Sequence, residues 1–184
     1  MAALQLCERP IVLFDFDGTV ADTGRAVMTS TRKTLAARGF SEAQIRATLP
    51  DAHLLLIPRT LENLVKNGRA PKLAGQLTQM LNIRLAVSPE WKSGEIKAVK
   101  KGRGAKRIVA NTMADCLAFL AEHPGSSVRV LTTGATEEQE LVNQALAGQN
   151  YVDAGTGPIG CTIATHVGVD AIAISYCPRY QPIH

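Results

Sequence analysis

The sequence predicts an α/β protein built on a parallel sheet, and three observations carry that prediction. Ile11 to Phe14 is a run of apolar, β-favouring residues of the kind buried on both faces inside a parallel sheet. The run breaks off at Asp15 and Asp17, spaced i, i+2, at the carboxyl end of a strand, where open α/β sheets bind their ligands. Between about 24 and 100 the pattern turns helical, with no convincing alternation of the strand type, which suits an all-helical insertion.

Composition narrows the class. At 184 residues the chain fits one domain, or one domain with a modest insertion, and 46% apolar residues supply a core. Aromatics make up only 4%, so that core is expected to be aliphatic and alanine-rich. A net charge of +4 is mild: it favours anionic substrates but does not by itself indicate nucleic acid. No apolar run approaches the roughly 20 residues needed to span a membrane, and the first ten residues lack the pattern of a signal peptide. Cys7, Cys116, Cys161 and Cys177 are scattered without a CxxC pair, which points to reduced thiols and a cytoplasmic protein.

The elements follow in order. Arg25 to Arg38 reads as a helix closed by Gly39, and Ser41 is the N-cap of another. His53 to Lys66 and Pro71 to Ile83 read as two more helices, and Trp91 as a packing residue. The basic run Lys97, Lys100, Lys101, Arg103, Lys106 and Arg107, interrupted by Gly102 and Gly104, reads as a solvated hinge strand or loop. A helix over Ala110 to Glu122, a short strand over Val128 to Gly134 ending in the hydroxyls of Thr132 and Thr133, and a helix over Thr136 to Leu146 come next. That last helix is acidic in its first turn, as the helix dipole prefers. His166 falls in a surface helix or turn, Asp170 in the turn before a buried strand, Ala171 to Ser175.

The chemistry is concentrated at Asp15-Phe-Asp17-Gly18-Thr19-Val-Ala-Asp22. Two acids at the end of a buried strand can hold a hard cation through oxygen, or one can attack while the other moves protons. Gly18 lets the chain leave the strand sharply. The stretch resembles motif I (DxDGTxxD) of the haloacid dehalogenase-like superfamily, and Thr23 to Met28 is similar to the start of the cap in its phosphoglycolate phosphatase-like branch. The resemblance implies a three-layer, Rossmann-like core with a parallel sheet, formed by 1–23 and 106–184, and an inserted helical cap over 24–105.

It also implies roles. Asp15 would be the nucleophile that forms an aspartyl-phosphate and Asp17 the general acid/base, with Gly18 and Thr19 at the phosphate. The strand ending in Thr132 and Thr133 resembles motif II, whose hydroxyl binds the transferring phosphoryl group. Asp153 would join Asp15 and Asp17 around magnesium. The expected function is a magnesium-dependent phosphatase acting on a small phosphorylated metabolite, with neither nucleic acid nor membrane as partner. Two departures stand out: no lysine follows Lys106 to serve as motif III, and Asp153 lacks a second acid four or five residues on. They motivate two alternatives, a degenerate relative that binds a phosphorylated ligand or a protein without turnover, and a phosphotransferase of the sugar-phosphate mutase type. The shortened C-terminal half also leaves room for a homodimer that covers a sheet edge.

Overall fold

The computed structural model describes residues 51–76, 82–90 and 95–179, together with the isolated positions 33, 37, 39, 41 and 43. The chain divides into two compact units, Ala47–Tyr180 and a second one made of Met1–Arg46 and Gln181–His184. In the second unit Ala37 N–H donates to the Lys33 carbonyl at 2.9 Å, and Gly39 has φ 82°, the left-handed conformation expected of a helix-closing glycine. The strand Ile11–Phe14, with Asp15, Asp17, Gly18 and Thr19, lies outside the described residues, as does Trp91.

In the first unit six strands form one mixed sheet, with helices on both faces. The strands are β1 (His53–Ile57), β2 (Ile83–Pro89), β3 (Ile96–Arg103), β4 (Ser126–Thr132), β5 (Tyr151–Pro158) and β6 (Ile172–Cys177), in the order β3-β2-β1-β6-β4-β5. The helices are α1 (Glu62–Lys66), α2 (Gly104–Glu122), α3 (Thr136–Leu146) and α4 (Cys161–Val167), with a 3₁₀ turn over Pro71–Gln76.

The α/β class is as read from the sequence; the parallel sheet is corrected. Only β4 and β5 run parallel, joined through α3, whereas β1 with β2, β1 with β6, β2 with β3 and β4 with β6 are antiparallel. Strands β1, β2 and β3 fall inside 24–105, the stretch read as a helical cap, yet they share the sheet with strands from 106–184. The helix expected over His53–Lys66 is a strand followed by a single helical turn. Leu54-Leu55-Leu56-Ile57 is continuous apolar sequence, and periodicity cannot separate a buried strand of that length from a buried helix. Pro58 decides it, since the residue before proline is driven to extended backbone.

The strands alternate faces. Leu55, Ile57, Ala86, Val128, Val130, Ile172, Ile174 and Tyr176 pack under α2 and α3, while Leu56, Val87, Ala171 and Ala173 pack under α1, the 3₁₀ turn and α4. Helix α2 presents Ile108, Val109, Thr112, Met113, Cys116 and Leu120, a stripe at helical spacing, to the first cluster. Ile57, Ile108, Ile172 and Ile174 are fully buried, each contributing about 1.5–3 kcal/mol relative to exposure. Burial pushes the Cys116 thiol up to about 12. It also raises the Tyr176 phenol, helped by the charges of Cys116 and Asp115.

The basic run forms β3 and the start of α2. Strand β3 is a sheet edge with Lys97, Lys101 and Arg103 exposed, charges that discourage edge-to-edge pairing. Gly102 is required by packing, because a Cβ there would stand 2.5 Å from the Ile108 amide nitrogen. Gly104 is required by its φ of 72°. Nearby, Arg84 of β2 and Glu138 of α3 form an ion pair with side chains only 9% and 4% exposed.

Candidate functional site

Most of the sequence-predicted site residues that the structure describes meet around the C-terminal end of β4. Thr132 Oγ1 donates to the Ala171 carbonyl at 3.1 Å and accepts from Gly134 N–H at 3.0 Å and Ala135 N–H at 2.9 Å. A hydroxyl offers one donor and two acceptor positions, so the capacity of Thr132 is full. Thr133 Oγ1 donates to the Gly168 carbonyl at 2.8 Å and accepts from Ala171 N–H at 2.9 Å. The backbone continues the stitching: Thr133 N–H bonds the Ala171 carbonyl, and Ile159 N–H bonds the Thr132 carbonyl, both at 2.9 Å. The two threonines singled out for phosphoryl contact therefore tie the ends of β4, β5 and β6 together and hold the first turn of α3.

Asp153 is exposed on β5, and its Oδ1 accepts from Gly155 N–H at 2.7 Å. Three residues of β5 span what two of β4 span there, between the pairs Val128–Asp153 and Val130–Thr156, and Gly155 takes φ 95°. This is a bulge closed by an aspartate turn. Among the described residues no group of three or more His, Cys, Asp or Glu side chains is placed to hold a metal ion. Asp170, with φ 55°, is a turn residue before β6, as its position in the sequence indicated.

Helix α4 and the turn after it supply what the sequence reading missed. His166 Nδ1 is buried and has no hydrogen-bond partner among the described residues. Gly168 follows with φ 79°, a left-handed conformation that favours glycine, and the Asn63 side chain of α1 lies against it, 2.7 Å from where a Cβ would stand. Asn67 Nδ2 bonds the Thr165 carbonyl at 3.2 Å and fixes α4 against α1. The sequence placed His166 at the surface; a histidine one residue from a helix end, two before a glycine, was the available signal.

Below this corner the sheet face is apolar, with Leu56, Leu61, Leu64, Val87, Ile159 and Val167 in one cluster. Its cover is thin. Helices α1 and α4 have five and seven residues, against 19 and 11 for α2 and α3 on the other face. Ile163 and Val169, 53% and 72% exposed, stand beside it. A cavity of about 260 Å³ opens next to the layer, lined by Arg69, Ala70, Lys72, Glu95 and Ile96 among others, with Lys72 Nζ donating to Glu95 at 2.7 Å. This side of the sheet thus combines an apolar layer with a cavity walled by charged side chains, Arg69, Lys72 and Glu95. Among the described residues no helix is long and apolar enough to cross a membrane.

Comparison with known proteins redirects the functional reading. Residues 4–179 match the model of a family described as uncharacterised protein, DegV family. A DegV domain-containing protein of Clostridium acetobutylicum is 25% identical over 174 residues, covering 92% of this chain and 60% of that protein. A solved structure described as fatty acid binding of a DegV family protein from Thermus thermophilus superposes with a TM-score of 0.66 at 23% identity, over 85% of this chain and 57% of that one. The fatty acid kinase B3 protein of Streptococcus pneumoniae, solved loaded with linoleic acid, gives a TM-score of 0.64 at 22% identity, over 83% and 55%. This chain spans about 60% of the length of the curated relatives it matches.

The haloacid dehalogenase-like resemblance is overturned by these matches. The family match runs through the Asp15–Asp22 stretch itself, and the neighbouring structures are fatty acid binding proteins. The phosphatase function, the hydrolase assignment and the small phosphorylated metabolite are corrected with it. So are the degenerate-relative and phosphotransferase alternatives. The physical reason is that a short acidic motif after an apolar run specifies a local turn, not a sheet. Strand β4 pairs antiparallel with β6, which the expected parallel core would not have.

Proposed function

The chain belongs to the DegV family, and from that premise we propose that it binds a long-chain fatty acid. The observation that supports this reading is the shared fold with solved proteins described as fatty acid binding or loaded with linoleic acid. The α1–α4 side of the sheet is where such a ligand fits best. The carboxylate goes to the buried, unpartnered Nδ1 of His166, and the acyl chain lies along the apolar layer beside Ile163 and Val169. A buried polar atom without a partner is costly, and in the Nδ1–H tautomer His166 can donate to a carboxylate, the strongest acceptor for it. Cytoplasmic residence, read from the scattered cysteines, belongs to the same proposal; Cys116, Cys161 and Cys177 are free thiols.

Calorimetric titration of the lipid-free chain with linoleic acid tests the reading. One site per chain is expected. His166→Leu should weaken it by about 10- to 100-fold, the worth of one hydrogen bond to a charged group. Unchanged affinity in His166→Leu would move the carboxylate elsewhere, and absence of binding by the wild-type chain would remove the function.

A further inference from the structure

The opposite face of the sheet carries a second polar feature, independent of the fatty acid reading. Arg84 Nη1 donates to Glu138 Oε1, while Nε and Nη2 are buried with no partner among the described residues. Nε–H and one Nη2–H lie along the same edge of the planar guanidinium, the fork that receives two oxygens of one anion. The Arg84 side chain is 9% exposed and lines a cavity of about 450 Å³ together with Arg59, Asn82, Gly104, Ala105 and Glu137.

Helix α2 begins at this cavity. It has 19 residues, its N-cap Arg103 makes no side-chain cap bond, and its first turn contains no acid. Gly104 N–H is taken by the Asn82 carbonyl at 3.2 Å. The next amides have no intrahelical acceptor, and they sit at the positive end of the helix dipole. Arg59 adds a cation, and Lys106 and Arg107 follow in the same turn. Among the described residues Glu137 is the carboxylate on the wall and, with Glu138 on Arg84, it opposes an anion, but the first turn of α3 already stabilises both.

We propose that this cavity binds a small, free, doubly charged oxyanion of tetrahedral shape, held between the unpartnered edge of Arg84 and the N-terminus of α2. None of the residues read as phosphoryl-transfer groups takes part, and no covalent step is involved.

Sulfate is the probe, titrated into the ¹⁵N-labelled full chain at ionic strength held constant with sodium chloride. The Arg84 Nε–H resonance and the amides of Asn82, Gly104 and Ala105 are expected to shift together and saturate with one dissociation constant. Ala105→Asp places a carboxylate in the first turn, where the helix tolerates it, and should weaken sulfate at least tenfold; Arg59→Ala, at an exposed position, should weaken it severalfold. Acetate should bind at least tenfold more weakly than sulfate. Shifts that grow linearly without saturating, affinity unchanged in both variants, or acetate binding as tightly as sulfate would each overturn the proposal.

Discussion

Gly102→Ala should be among the most damaging single-methyl changes in this protein, and the geometry says why. An alanine Cβ at 102 would lie 2.5 Å from Ile108 N, 2.7 Å from Ile108 Cα and 2.8 Å from Arg107 C. Nonbonded carbon contacts are optimal at about 3.5–4.0 Å, so the shortest contact falls about 1 Å short. Every one of these atoms is backbone in α2, so no side chain can swing aside. The helix must move off β3, and Ile108, Val109 and Met113, all at most 2% exposed, lose contact with the sheet. Overpacking typically costs 1–3 kcal/mol and occasionally more; with the clash entirely on backbone, a loss of about 3 kcal/mol or more is expected. Gly104→Ala is the internal control. It meets no atom within 4 Å and suffers only the left-handed backbone penalty of about 1–2 kcal/mol. Urea unfolding followed by circular dichroism should show a larger drop in midpoint for Gly102→Ala, with similar slopes for both. If Gly104→Ala proves equally or more damaging, the packing argument at the β3–α2 junction fails.

Two further outcomes follow from buried groups. Arg84→Met leaves the Glu138 carboxylate, 4% exposed, without its partner and should cost about 3–5 kcal/mol. Adding Glu138→Met should recover most of that in the same urea assay, whereas a single-variant loss under about 1 kcal/mol would show the pair to be unimportant. Cys116 has its thiol raised from 9.0 to about 12 by burial, so the folded state holds the proton that the unfolded state releases. Stability should therefore fall as pH rises above about 9, with a slope approaching 1.4 kcal/mol per pH unit. Tyr176 acts in the same direction at higher pH. Urea midpoints from pH 8 to 11 should decline in the wild type and less steeply in Cys116→Ala; superimposable profiles would contradict the assignment.

What could be read from the sequence was local. The helix over Thr136–Leu146 appears with the same bounds, and the strand expected over Val128–Gly134 runs two residues earlier at each end, over Ser126–Thr132. In the helix, periodicity, flanking turn residues and the acidic first turn agree. The helix expected from Ala110 begins six residues earlier, because Gly104 suggested a breaker but instead supplies the left-handed entry to α2. What failed was non-local. Nothing in Leu54–Ile57 says that its neighbours are β2 and β6, and an antiparallel partner leaves the same apolar run as a parallel one. The functional reading suffered most, because Asp15 and Asp17 drew it to one short motif that lies outside the described residues. Thr132 and Thr133 were placed correctly at the end of β4, but their hydroxyls serve the backbone. Arg84, a lone charge inside the apolar run Ile83–Val87, was the overlooked signal, since arginine is seldom buried unless paired.

Native mass spectrometry of the lipid-free chain mixed with linoleic acid decides whether the proposed fatty acid binding holds. A single adduct of one linoleate per chain is expected, reduced in His166→Leu. A spectrum showing only the bare chain in the presence of excess fatty acid would contradict it.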